Sequence, residues 1–289
     1  MQNRTRRRRL KFVAVLGALA LIAAACGDDD GGSLLEELQE SGTITIGIAN
    51  EIPYGYEDET TGEITGEAPE VAKVFLAELG IDNVEAQVVE FGALIGGLDA
   101  GNYDMIAAGM YINAERAEQV IFSDPDYCIN ESMLVEDGNP HGLTDYASVA
   151  DTDAVLAVAS GTVNVQYAVD AGIPDNQIVE FAGIQDQYDA IRAGRVDAVS
   201  GTVLTVTEQA NAMDGYEALP SFPARDADGE PILGCGGFGF SDQEFRDAFN
   251  DVLNRLQAEG VVQDIVAEHL GSRDVAEDAV DLTVEDLTG

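Results

Sequence analysis

AGNYDMI over residues 100–106 and AGRVDAV over residues 193–199 decide how this chain folds. Both fit the frame AG-x-x-D-x-(apolar). Each follows an apolar-periodic segment, ALIGGLDA from Ala93 and DQYDAIRA from Asp186, so a glycine stops a helix and a short buried strand comes next. A helix, stop and strand that occur twice imply two similar α/β lobes. Working outward, TITIGIA from Thr43, VEAQVV from Val84 and MIAAGM from Met105 read as strands of the first lobe, the last ending at the Gly109 loop. Stretches near residues 155–158, 177–181 and 197–200 read as strands of the second. Pro69 fits the first turn of an intervening helix that runs to Leu79. Such alternation gives parallel-rich sheets whose strand C-termini face the crevice where ligands bind.

The ends of the chain have a different character. Residues 1–25 form a targeting segment: RTRRRRLK, an apolar stretch from Phe12 to Ile22, then Ala23, Ala24 and Ala25 ahead of Cys26. The apolar stretch is shorter than the ~20 residues a membrane span requires. Small residues before a cysteine, with GDDDGGS after it, look like a lipoprotein cleavage site. Cys26 would then carry the lipid, on a tether over residues 26–42, and fix the protein to the outer face of the cell membrane or in the periplasm. An ordinary secretory signal with an incidental cysteine is the alternative. At the other end, residues 275–289 are acidic, contain little that could form a core, and are expected to be loosely ordered.

Net charge is −40, and because residues 1–25 hold six basic and no acidic side chains, the remainder stands near −46. Charge of that sign excludes nucleic acid and anionic lipid surfaces as partners. Its size fits a high-salt habitat, where self-repulsion is screened over ~8 Å or less. With Cys26 spent on lipid, Cys128 and Cys235 remain as an even pair in an oxidising compartment, either a disulfide or two inert thiols. His141 and His269 stand alone in polar surroundings, so no metal site is visible. YCINESMLV reads as a crossing into the second lobe and GCGGFGF as the return. The first lobe is therefore expected over residues 43–131 and 235–274, and the second over 132–234.

The loops that follow the strands carry the chemistry. Glu51 and Tyr54 follow the first strand, in a loop long enough to suggest function. Phe91 follows VEAQVVE, and Tyr111 and Arg116 follow MIAAGM within GMYINAERAEQVIFSDPDY, residues 109–127. From the second lobe, Thr162 follows LAVASG and Thr202 follows DAVSG. Arg116 offers a planar fork for a carboxylate; a surface arginine between Glu115 and Glu118 is the plainer reading. Gly161-Thr162 precedes the helix VNVQYAVDA, whose N-terminus favours an anion, though a threonine there can also simply cap the helix. Tyr54, Phe91 and Tyr111 could cage a delocalised or alkylated cation, although each alone would more often be core. Glu51 could accept N–H bonds from that cation, or be one more surface acid. A carboxylate clamp beside a cation cage suits a small zwitterionic solute.

These stretches resemble the extracytoplasmic solute-binding proteins of ABC importers, in the amino-acid-binding branch. The resemblance implies a two-lobed α/β fold of the type II periplasmic-binding kind, with two hinge crossings, no cofactor, monomeric action, and partnership with a membrane permease and its ATPase. Those crossings run close together in such folds, which favours a Cys128–Cys235 bridge. The branch usually has an aspartate for the ligand's α-ammonium where this chain has Thr202, and that departure argues against an ordinary α-amino acid. GIANEIPYGY, TGEAPEVAK, EFGALIGGLDAGNYDMIAAGMYINAERAEQVIFSDP and DAVSGTVLTV resemble, more narrowly, the ectoine/hydroxyectoine-binding proteins. By motif, Glu51, Tyr54, Phe91, Tyr111, Arg116 and Thr162 match that family's ligand contacts. Where the family can place an acid after the threonine, this chain has Val163 and then Asn164, so one cation contact is lost or replaced. A receptor for a polar amino acid or another zwitterion is the alternative, and a secreted cyclohexadienyl-dehydratase-like enzyme with Glu51 as general acid is a more distant one.

Overall fold

A computed structural model describes residues 32–289. The targeting segment and Cys26 lie outside the described residues. Two sheets organise the rest. The first has six strands in the order Asn83–Val88, Thr43–Ile48, Met105–Tyr111, Gly234–Phe240 and Ile121–Phe122, with Tyr127–Ile129 also paired to Gly234–Phe240. The second has five, in the order Ile178–Phe181, Leu156–Ala159, Ala198–Thr202, Glu131–Glu136 and Tyr216–Ala218. Within each sheet the three strands linked by helices run parallel. The strands by which the chain crosses between lobes, Glu131–Glu136 and Gly234–Phe240, pair antiparallel with their neighbours.

The repeated frame does the same work in both lobes. Asp104 accepts the Thr45 N–H through Oδ2 at 2.8 Å and donates its own N–H to the Thr45 carbonyl at 2.8 Å. Asp197 does likewise with Val155, again at 2.8 Å in each direction. An aspartate after the helix stop thus completes the hydrogen bonding of the next strand over, at the end where the ladder would otherwise leave unpaired groups. Gly101 and Gly194 close the preceding helices by donating to Leu98 and Ile191, at 3.0 and 2.9 Å.

Three local expectations are corrected. The tether was drawn over residues 26–42, but Leu34–Ser41 is a helix, capped by a Ser33–Glu36 box, with Leu38 buried against the first lobe. LLEEL has the apolar spacing that seats one helical face on a core. The helix with Pro69 in its first turn runs over Glu67–Glu78 and ends at Leu79, as expected, and the N–H groups of Glu67 and Ala68 reach the carbonyls of Pro53 and Tyr54 at 3.0 and 2.9 Å. The strand expected to stop at Gly109 continues through it to Tyr111.

The largest correction concerns the acidic tail. Instead of being loosely ordered, it forms short helices at Asp274–Glu277 and Val284–Thr288. Ala276 and Ala279 are buried, and Ala279 packs with Leu282 and Leu287 over Cys128 and Cys235. The Val284 N–H donates to Asp124 Oδ1 at 3.1 Å. Few apolar residues suffice because small ones fit flush on a surface already made by the crossing strands. Cys128, in Tyr127–Ile129, and Cys235, in Gly234–Phe240, are directly opposite and form a disulfide, with Cα atoms 4.0 Å apart. No helix among the described residues is long and apolar enough to cross a membrane.

Candidate functional site

Between the lobes lies a cavity. Glu51, Tyr54, Phe91, Tyr111, Arg116, Thr162 and Thr202 all line it. Its first-lobe wall is a set of tyrosines laid on glycine backbone. Tyr54 stacks on Tyr127, with centroids 5.3 Å apart and planes at 25°, and Tyr111 is tilted against Tyr127 at 6.5 Å. The return strand GCGGFGF makes this possible. A Cβ at Gly234 would collide with the Tyr111 ring, and one at Gly236 with the Tyr127 ring. The Tyr127 hydroxyl then donates to the Gly109 carbonyl at 2.9 Å.

Arg116 is held in place by the protein itself. Asn113 caps the short helix Ala114–Ala117 by accepting the Arg116 N–H at 2.9 Å, which aims the side chain back along the cleft. Nη1 donates to the Tyr111 carbonyl at 2.7 Å, and Nη2 donates across the cleft to the Gly161 carbonyl at 2.9 Å. The guanidinium carbon lies 5.4 Å from the Phe91 ring centroid, a cation–π contact. Arg116 is 7% exposed. Burial lowers its pKa to about 10, leaving it charged at neutral pH. Two of five N–H donors serve the carbonyls, so the rest can serve a carboxylate. The lobes meet backbone to backbone here: a Cβ at Gly161 would lie 2.5 Å from the Gly92 Cα.

A chain of hydroxyls joins the lobes at the other side of the cavity. The Tyr54 hydroxyl donates to Thr202 Oγ1 at 2.8 Å, Thr202 to Thr205 Oγ1 at 3.2 Å, and Thr205 to Glu51 Oε1 at 2.9 Å. Thr202 also caps its helix by accepting the Thr205 N–H. Its hydroxyl is therefore engaged within the protein, as a link between lobes. Thr162 occupies the N-cap position of Val163–Asp170 but does not cap through its side chain, which donates instead to the Ala159 carbonyl at 2.7 Å.

Several lining residues escaped the sequence reading, above all Glu131. It is 2% exposed and begins the crossing strand, with its backbone paired to Phe222 in both directions at 3.0 and 2.9 Å. Asn164 Nδ2 donates to Glu131 Oε2 at 2.6 Å and also to the Tyr146 hydroxyl at 2.9 Å, which in turn shares a bond with Ser200 Oγ at 2.5 Å. The available signal was an acid inside the apolar run CINESMLV. Asn164, Gln187, Tyr188, Ser200 and Thr205 complete the wall. Which face of the 184–192 helix would reach the cavity depends on packing that periodicity does not specify. Burial pushes the Glu51 carboxyl up to about 7, partly offset by Thr205. Burial likewise pushes Glu131 up to about 7, partly offset by Asn164 and Tyr111. Among the described residues, no three His, Cys, Asp or Glu side chains gather as a metal would need.

Residues 44–272 match the family model of bacterial extracellular solute-binding proteins, family 3. The chain is 36% identical over 247 residues to a probable amino-acid ABC transporter periplasmic-binding protein, y4tE, of Sinorhizobium fredii, covering 84% of this chain and 81% of the relative. It is 29% identical over 283 residues to the glutamate-binding protein GluB of Corynebacterium glutamicum, covering 91% of each. Among solved structures, a crystal structure of EhuB in complex with hydroxyectoine is similar with a TM-score of 0.80 at 32% identity, over 89% of this chain and 98% of that one.

Proposed function

The chain belongs to the bacterial extracellular solute-binding proteins of family 3 and has their two-lobed fold, and from that premise we propose that it captures ectoine or hydroxyectoine for an ABC importer. Arg116 takes the solute's carboxylate, the rings of Tyr54, Phe91 and Tyr111 face its delocalised cation, and Glu51 accepts an N–H from it. Thr162 stands at the helix end nearest the carboxylate, and Thr202 holds the closed state through Tyr54. The observation that carries the reading is the buried Arg116 guanidinium beside a ring-lined cavity to which both lobes contribute. The hydroxyectoine complex of a 32% identical neighbour supports the solute class.

Delivery follows from hinge closure. A solute that touches both lobes lowers only the closed state, so the closed form signals occupancy to a permease and its ATPase. The lobes are residues 43–131 with 235–274, and 132–234. Lipid on Cys26 keeps the monomeric receptor at the outer face of the membrane. Titration calorimetry with ectoine, hydroxyectoine, glycine betaine, proline and arginine tests the solute, with tight binding of the two ectoines expected. Tight binding of arginine with no response to ectoine would overturn it. The second reading, a polar amino acid, is favoured by Glu131, a carboxyl that could receive the ammonium Thr202 cannot neutralise.

A further inference from the structure

We propose that Glu131 is the specificity determinant of this cavity: its free carboxyl oxygen admits solutes whose cation carries N–H groups and turns away fully alkylated ammonium ions of the same charge. The proposal rests on the cavity being a solute site, but not on which solute fills it.

The aromatic wall cannot make this distinction. A ring face attracts a cation through its quadrupole whether that cation is an amidinium, a guanidinium or a quaternary ammonium. Buried oxygen atoms can. Glu131 Oε1, Gln187 Oε1 and the Tyr188 hydroxyl all belong to residues that line the cavity, are buried, and have no hydrogen-bond partner among the described residues. An unpaired buried polar group is destabilising, and more so if charged. A solute that donates into them removes that cost. One without N–H groups seals them in.

Glu131 differs from the other two in being positioned for the task. Its Oε2 is fixed by Asn164 at 2.6 Å, and Asn164 is fixed by Tyr146, itself bonded to Ser200. Its backbone is locked to Phe222 on one edge of the crossing strand. With one oxygen and the backbone both held, Oε1 is left without an ordinary hydrogen bond, although the Tyr111 hydroxyl is near enough to lower the carboxyl's proton affinity, and a solute that enters the cavity can engage it. Glu51, by contrast, already receives the Thr205 hydroxyl. The Glu51 charge raises the proton affinity of Glu131, and a cation beside Glu131 opposes that effect. Two acceptors at different points of the wall suit a cation with two N–H groups, as cyclic amidinium and guanidinium ions have.

Calorimetry on the mature wild-type protein and Glu131→Gln, with ectoine, arginine and glycine betaine, tests this. The substitution keeps shape and lets Asn164 retain a carbonyl acceptor. Whichever N–H-bearing solute the wild type binds should bind Glu131→Gln at least tenfold more weakly, while glycine betaine binds the wild type at least a hundredfold more weakly than that solute. Equal affinity in variant and wild type overturns the proposal. Should the variant not fold, as read by its unfolding temperature, the wild-type comparison stands alone, and glycine betaine binding within threefold of the N–H-bearing solute overturns it. If the wild type binds arginine, ignores ectoine, and loses arginine in Glu131→Gln, the role of Glu131 holds while the ectoine assignment falls.

Discussion

Tyr54 and Thr202 stand on opposite lobes and share a hydrogen bond of 2.8 Å, the first step of a relay that returns through Thr205 to Glu51, three residues from where it began. Closure therefore orders the same loop that is proposed to meet the solute. Tyr54→Phe removes the cross-lobe bond and keeps the stacked ring. A neutral hydrogen bond is worth about 0.5–1.5 kcal/mol net, so solute binding should weaken about two- to tenfold with little change in the unfolding temperature. Calorimetry beside a thermal melt checks both, and unchanged affinity would mean that the relay does not report closure.

Arg116→Lys keeps the charge but loses the fork, and one ammonium cannot reach the Tyr111 and Gly161 carbonyls together in the guanidinium's geometry. Breaking a desolvated charge pair costs about 2–5 kcal/mol, so affinity for a carboxylate-bearing solute should fall thirtyfold or more. A drop below threefold would place the carboxylate elsewhere.

Binding should strengthen as pH rises from 6 to 8. Burial holds Glu51 and Glu131 near a pKa of about 7, so at pH 6 both are mainly protonated and must release protons to face a cation. Below its pKa each group can cost up to about tenfold in affinity per pH unit. Tyr111, Tyr146 and Tyr167 also surround Glu131, and burial raises all three away from this range, so they stay neutral throughout. Dissociation constants at pH 6, 7 and 8 should fall in that order, with a shallower trend in Glu131→Gln.

Stability of the solute-free protein should move the opposite way. Besides Glu51 and Glu131, the buried Glu67 and Asp126 carboxyls are raised, chiefly by desolvation, and Glu67 further by the Asp126 charge. A carboxyl raised on folding binds its proton more tightly in the native state. Its stabilising contribution is complete below the unfolded pKa and is lost as pH climbs through the folded one. The unfolding temperature should decline from pH 5 to pH 8, and Asp126→Asn should flatten the decline. A melt that is steady or rises over that interval would contradict the assignment.

Deleting residues 274–289 should uncover the disulfide, now 1% exposed at both cysteines, and remove the Val284 bond to Asp124. We expect a melting temperature lower by ~2–4 °C per kcal/mol lost and faster reduction of the cystine by a small thiol. Equal reduction rates would mean the tail leaves the cystine accessible.

The sequence was most legible where a local rule governs. The AG-x-x-D frame specifies a helix stop and an aspartate that needs a strand N–H, and both lobes obey it at Asp104 and Asp197. The cavity wall is legible at strand ends, where Tyr54, Phe91, Tyr111 and Arg116 fall at or just beyond the last strand residues and line the crevice. Glu131 was hidden because its place depends on a crossing strand, on Asn164 thirty-three residues away and on Tyr146, a meeting of distant segments with no local pattern. The tail was misread for a related reason. Composition reports how much apolar surface a segment brings, whereas Ala276 and Ala279 need only a flat neighbour to be buried.

Cystine at the two crossings has a mechanical consequence. Because Cys128 and Cys235 are cross-strand partners with Cα atoms 4.0 Å apart, the two connections between lobes are stapled into a single pivot. Two independent tethers would let the halves shear or twist past one another. One pivot leaves a swing, so displacement grows with distance from the staple.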